Sequence, residues 1–157
     1  MPSRTPTVVS RLVLVAAAAL LAAGCGMVSR TPPAPTPADF PGIAADLALH
    51  GIATERVVSG EPGCDNQALA PTAIRFTASG LDQPKPATIY VYIFRNHDTW
   101  DRLRSEVDAC AISYVTDPAM YQPIAVSPYV VTSPDRWSPE FAAALRSGVN
   151  AAAGNGG

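Results

Sequence analysis

The apolar positions change period along the chain, and each change marks an element. From Ala87 to Arg95 the order is ATIYVYIFR, with Ile89, Val91 and Ile93 on one side and Tyr90, Tyr92 and Phe94 on the other. Both faces are apolar, which places this stretch as a strand in the middle of a sheet. Thr72 to Ser79 alternates more cleanly: Ile74, Phe76 and Ala78 share one face, Arg75 and Thr77 the other. The turn GLDQPKP between the two predicts a hairpin. Ala53 to Ser59, ATERVVS, reads as a further strand, closed by Gly60, Pro62 and Gly63. Ile124 to Thr132 reads as a last strand or a pair of short ones, because Pro128 cannot donate to a ladder.

Three stretches carry the helical period instead. Asp39 to His50 places Phe40, Ile43, Ala44 and Leu47 on one face, with Asp39 as a cap and Gly51 as a stop. After Asn96 or Asp98 as N-cap, Trp100, Leu103, Val107, Cys110 or Ala111, and Tyr114 recur at helical spacing. Asp98–Arg102 and Arg102–Glu106 stand as i,i+4 pairs on the outer face. Ser138-Pro139 opens a last helix, striped by Phe141, Ala144, Leu145 and Val149, with Trp137 folded over its entry. Asn150 to Gly157 reads as a disordered tail.

The order α-β-β-β-α-β-α predicts an α+β domain over residues 39–149. It should hold one mostly antiparallel sheet of about four strands, with about three helices packed on it. The third and last strands, joined by a helix, are candidates for a local parallel pair.

The N-terminus follows a different pattern. Arg4 and Arg11 precede an uncharged apolar run, Leu12 to Ala23, and small residues lead into Cys25. That is the layout of an export signal. The run falls short of the ~20 apolar residues of a spanning helix. Its end, Leu21-Ala22-Ala23-Gly24-Cys25, resembles the lipobox of bacterial lipoproteins, although Ala22 stands where Leu is usual, with Leu21 one step earlier. The resemblance implies that residues 1–24 are a lipoprotein signal peptide and that Cys25 becomes the lipidated first residue. It implies an extracytoplasmic protein anchored to a bacterial cell membrane or outer membrane. Gly26 is not the Asp that some diderm bacteria use to retain lipoproteins at the inner membrane. Residues 25–38, with Pro32, Pro33, Pro35 and Pro37, then form an extended tether reaching roughly 30–40 Å at about 3.1 Å per residue. The domain itself resembles uncharacterised small bacterial lipoproteins in its order of elements, and no residue role follows from that.

An ordinary secretory signal would leave three cysteines in an exported chain, an awkward number. With Cys25 lipidated, Cys64 and Cys110 remain, and two can pair. Redox and zinc sites hold their cysteines close in sequence, whereas these lie far apart. A structural disulfide is the expectation, clamping the loop after the first strand to the second helix. In the chain-entropy model, closing such a loop stabilises by about 3–4 kcal/mol.

Charge narrows the partners. The formal net charge is −2 with 11 basic and 13 acidic residues, and no basic cluster stands out. A nucleic-acid partner is therefore not expected, nor headgroup binding beyond the lipid anchor at Cys25.

Candidate chemistry is sparse. The two histidines, His50 and His97, sit in no HExxH or zinc-ligand spacing, so no metal or cofactor is expected. Neither GxSxG, GxGxxG nor a Walker loop occurs. His97-Asp98, at the end of the central strand, is the best catalytic candidate, although Asn-His-Asp is also good helix-start chemistry. His50 suits the last turn of a helix. Asp65-Asn66 suits a turn better than a cation site, and Tyr90, Tyr92 and Phe94 suit a core better than a ligand face. The reading is a non-enzymatic binding or accessory module, which predicts an apolar groove or an uncovered sheet face. The alternative is a small surface hydrolase using His97 and Asp98, with a nucleophile in reach of the imidazole.

Overall fold

A computed structural model describes residues 40–154. The signal, the Cys25 anchor, the tether and the Asp39 cap therefore lie outside the described residues, as does the end of the tail. The elements are α1 (Phe40–Leu49), β1 (Ala53–Ser59), β2 (Ala73–Ser79), β3 (Ala87–Ile93), α2 (His97–Tyr114), β4 (Ile124–Val126), β5 (Tyr129–Thr132) and α3 (Pro139–Ala152). Short 3-10 turns at Ala70–Thr72 and Pro118–Met120 lead into β2 and β4.

The five strands form one sheet in the order β1-β2-β3-β5-β4, and every neighbouring pair is antiparallel. Among the described residues the fold is therefore α+β with three helices. β3 is central, as its two apolar faces require. The β2–β3 hairpin forms with Ile74 opposite Val91 and Phe76 opposite Ile89.

The expected parallel pair does not form. The stretch 124–132 splits at Ser127-Pro128, a cis bond, into β4 and β5. The helix does return the chain to a strand running with β3, namely β4, but β5 lies between them and pairs antiparallel with both. Of the two readings of this stretch, the pair of short strands is the one that forms.

Each sheet face carries its own core. On one, Ile74, Phe76, Ile89, Val91, Ile124 and Val131 meet Phe40, Ile43 and Leu47 of α1 and Phe141, Leu145 and Val149 of α3. On the other, Ala73, Tyr90, Tyr92, Phe94 and Val130 meet α2 through Val107 and Cys110, with Trp100, Leu103 and Tyr114 at the margin. The result is three layers: α1 with α3, the sheet, and α2.

Where α1 and α3 cross, Gly148 faces Leu47. A Cβ there would stand 2.8 Å from Leu47 Cδ2 and 3.2 Å from Leu47 Cα, so the helices approach over a bare backbone. α3 also runs on past Val149 to Ala152. Its exit is a hydrogen-bonded turn, with the Ala153 N–H donating to Val149 O.

The caps divide between local and remote. Asn96 Oδ1 accepts from Thr99 N at 2.8 Å and starts α2 as expected. Ser138 stands at the N-cap of α3 but makes no capping bond of its own. Its Oγ donates to Asp82 Oδ1 at 2.6 Å, and Asp82 instead accepts from the N–H groups of Glu140 and Phe141. The β2–β3 turn therefore caps the last helix. Among the described residues of α2, Arg104 pairs with Asp108, the His97 imidazole lies beside Asp101, and Glu106 accepts from Asn66 across the loop.

Candidate functional site

Three places carry side chains beyond those the core requires. The first is the sequence-predicted pair. His97 lies in the first turn of α2 with its side chain 72% exposed, its Nε2 3.3 Å from Asp101 and its ring stacked on Trp100 at 6.1 Å. Asp98 is an exposed first-turn carboxylate, where it favours the helix dipole. The partners that the His97 ring has among the described residues are a carboxylate and an indole, which suits helix-start residues. His50 likewise closes α1, donating from Nδ1 to Asp46 O at 2.8 Å. Asn66 forms the expected turn by accepting from Ala68 N.

The second place is the disulfide. Cys64 and Cys110 are bridged, with their Cα atoms 5.6 Å apart. The bridge holds the 60–69 loop on α2 above the tyrosines of β3. Tyr92, fully buried, donates its hydroxyl to Pro62 O at 2.6 Å. Cys110 Sγ also approaches Pro62 O at 3.3 Å, but an oxidised sulfur has no proton to give, so this is a packing contact. Gly63 is required here twice over. Its φ is +84°, and a Cβ would stand 2.7 Å from the Tyr90 ring and 2.9 Å from Tyr114. Tyr114 pairs its hydroxyl with Thr132 Oγ1, and its ring lies 4.9 Å from that of Tyr90. Burial pushes the Tyr92, Tyr114 and Tyr90 hydroxyls up from their ordinary value, so all three stay neutral hydrogen-bonding groups. The arrangement is a closed polar network under a covalent staple, with the aromatics serving as core.

The third place is a cleft that no sequence motif marked. It encloses about 430 Å³ and is lined by Asp117, Gln122, Ser133, Asp135, Arg136 and Trp137, with Ala119, Pro139 and Ala142 completing it. That volume falls in the ~300–1,000 Å³ range of small-molecule sites. Its origin is topological. β4 and β5 form a tight hairpin, so the residues before β4 and after β5 emerge at the same end of the sheet. Gln122 comes from one side and Ser133 from the other, and the start of α3 closes a wall.

Several lining groups are held in place by the backbone. Asp117 Oδ1 accepts from Ala119 N at 2.9 Å, and Ser133 Oγ accepts from Asp135 N at 2.9 Å. Asp135 Oδ2 accepts from Thr88 N at 2.6 Å, which ties the loop to β3. Trp137 packs on the α1/α3 core, and its buried Nε1 has no partner among the described residues. The Gln122 amide and the Arg136 guanidinium are also unpaired among the described residues. The expected apolar groove is thus replaced by a polar cleft beside an indole, because α1, α3 and α2 take up the apolar faces of the sheet.

Among the described residues no group of three or more His, Cys, Asp or Glu could hold a metal ion, and no helix is long and apolar enough to cross a membrane. No protein-family model, no curated protein and no solved structure matches the chain.

Proposed function

We propose that this protein is a lipid-anchored module on the outer face of a bacterial membrane, and that it binds a small polar ligand without transforming it. The binding site is the cleft between the 116–122 and 133–138 loops. The observation that supports this reading is the state of the cleft residues. Among the described residues the exposed Gln122 amide and Arg136 guanidinium are left to solvent, in a concavity of ligand size, while the backbone fixes Asp117 and Asp135 around them. Preorganised polar groups around a concave surface are what orients a small ligand. His97, exposed and paired with Asp101, gives the hydrolase reading no comparable support.

The anchor rests on the LAAGC segment and on the count of cysteines. With Cys64 and Cys110 bridged, Cys25 is the one thiol left for lipid. Two or more acyl chains at about 0.8 kcal/mol per buried CH₂ hold a small domain at a bilayer. The test is fractionation of the native host. Wild-type protein should sediment with membranes and show a diacylglyceryl-modified Cys25 by mass spectrometry, and Cys25→Ser should move to the soluble fraction or retain its signal. An unmodified cysteine in the membrane-free fraction of the wild type would overturn the anchor.

A further inference from the structure

We infer that the cleft takes a neutral saccharide, an inference that rests on the cleft being the binding site. The lining is mixed in hydrogen-bonding character. Asp117 and Asp135 only accept, Arg136 only donates, and Gln122 and Ser133 do both. A simple cation would face the Arg136 charge, and a simple anion would face two carboxylates. The usual attraction of a helix N-terminus for an anion is already used at α3, where Asp82 accepts from Glu140 N and Phe141 N. An apolar ligand would strip water from five polar side chains and return no hydrogen bond.

A ring of hydroxyls meets the same lining differently. Each hydroxyl donates once and accepts through two lone pairs, so acceptor-only and donor-only side chains can be satisfied side by side on one neutral ring. Carboxylates and guanidinium also form the stronger, charge-assisted bonds to such hydroxyls. Trp137, half-buried, is the aromatic residue of the lining, and an indole suits the C–H face of a pyranose. A zwitterionic amino acid also carries both charges and is the natural competitor.

The experiment uses the full-length lipidated protein in a detergent without a sugar headgroup. Isothermal titration is run with cellobiose, maltose and diacetylchitobiose, and separately with glycine, glutamine and arginine. The expected result is that at least one disaccharide binds, and that Gln122→Ala and Asp117→Asn each weaken it tenfold or more while His97→Ala leaves it unchanged. Retained thermal melting shows that the variants are folded. If an amino acid binds through Gln122 and Asp117 and no disaccharide does, the cleft stands as a site and the saccharide assignment is overturned. If nothing binds, or if sugar binding survives both substitutions, the cleft itself is not the site.

Discussion

At Asp82 one carboxylate accepts from Ser138 Oγ and from the N–H groups of Glu140 and Phe141, so the last helix begins where the β2–β3 turn meets it. The Ser138 hydrogen bond, followed by those to the backbone N–H groups, holds the Asp82 pKa below its ordinary 3.8 despite some opposing desolvation. A carboxylate depressed in the folded state stabilises above its unfolded pKa and loses that contribution as pH falls through its folded value. Wild-type melting temperature should therefore decline below about pH 4 partly through this group. Asp82→Ala should melt lower at pH 7 and show a shallower decline with acid, read by thermal denaturation across pH 2–7. An unchanged acid slope would mean that the cap contributes nothing. Gly63 shows a different single-residue constraint: it satisfies a backbone angle and a steric limit together, directly beside Cys64.

Two helical glycines, Gly42 in α1 and Gly148 in α3, differ in the room around them. In α1, Gly42 has nothing within 4 Å of its would-be Cβ, whereas Gly148 meets Leu47 at 2.8 Å. Alanine favours a helix interior over glycine by roughly 1 kcal/mol. Gly42→Ala should therefore stabilise by about 0.5–1 kcal/mol. Gly148→Ala should destabilise by about 1–2 kcal/mol, because overpacking of about 1–3 kcal/mol exceeds the propensity gain. Urea titration of both variants gives the sign directly. The loop from Gly60 to Thr72 is held in a second way, by the Cys64–Cys110 bridge and the Asn66–Glu106 hydrogen bond. Reduction should lower stability by about 3–4 kcal/mol. Amide exchange should rise first around Leu69 and Thr72, whose N–H groups bond within that loop. Uniform exchange across the sheet would show that the bridge steadies the whole domain rather than its strap.

For the whole molecule, what could be read from the sequence was what local spacing encodes. The two-sided apolar run ATIYVYIFR is the central strand, the alternation from Ile74 to Ala78 faces α1 and α3, and the Trp100-to-Tyr114 spacing lies along α2. The Cys64–Cys110 pair followed from arithmetic on three cysteines and is present. What stayed hidden depends on contacts between distant residues. The Asp82 cap spans 56 residues, and nothing at either end announces it. The insertion of β5 between β3 and β4 turns on a break at Pro128 that reads only as a strand interruption. The cleft had one usable trace: two polar loops, TDPAMYQP and SPDRW, flank the same short hairpin and must emerge together.

The pairing of α1 with α3 has a consequence in time. Synthesis delivers Phe40, Ile43 and Leu47 before any strand of the sheet, and Phe141, Leu145 and Val149 only after β5. Until those late residues emerge, the part of the apolar sheet face that α3 covers stays open. The domain cannot close until α3 has been made, and a chaperone or a holding factor has that whole interval in which to engage it.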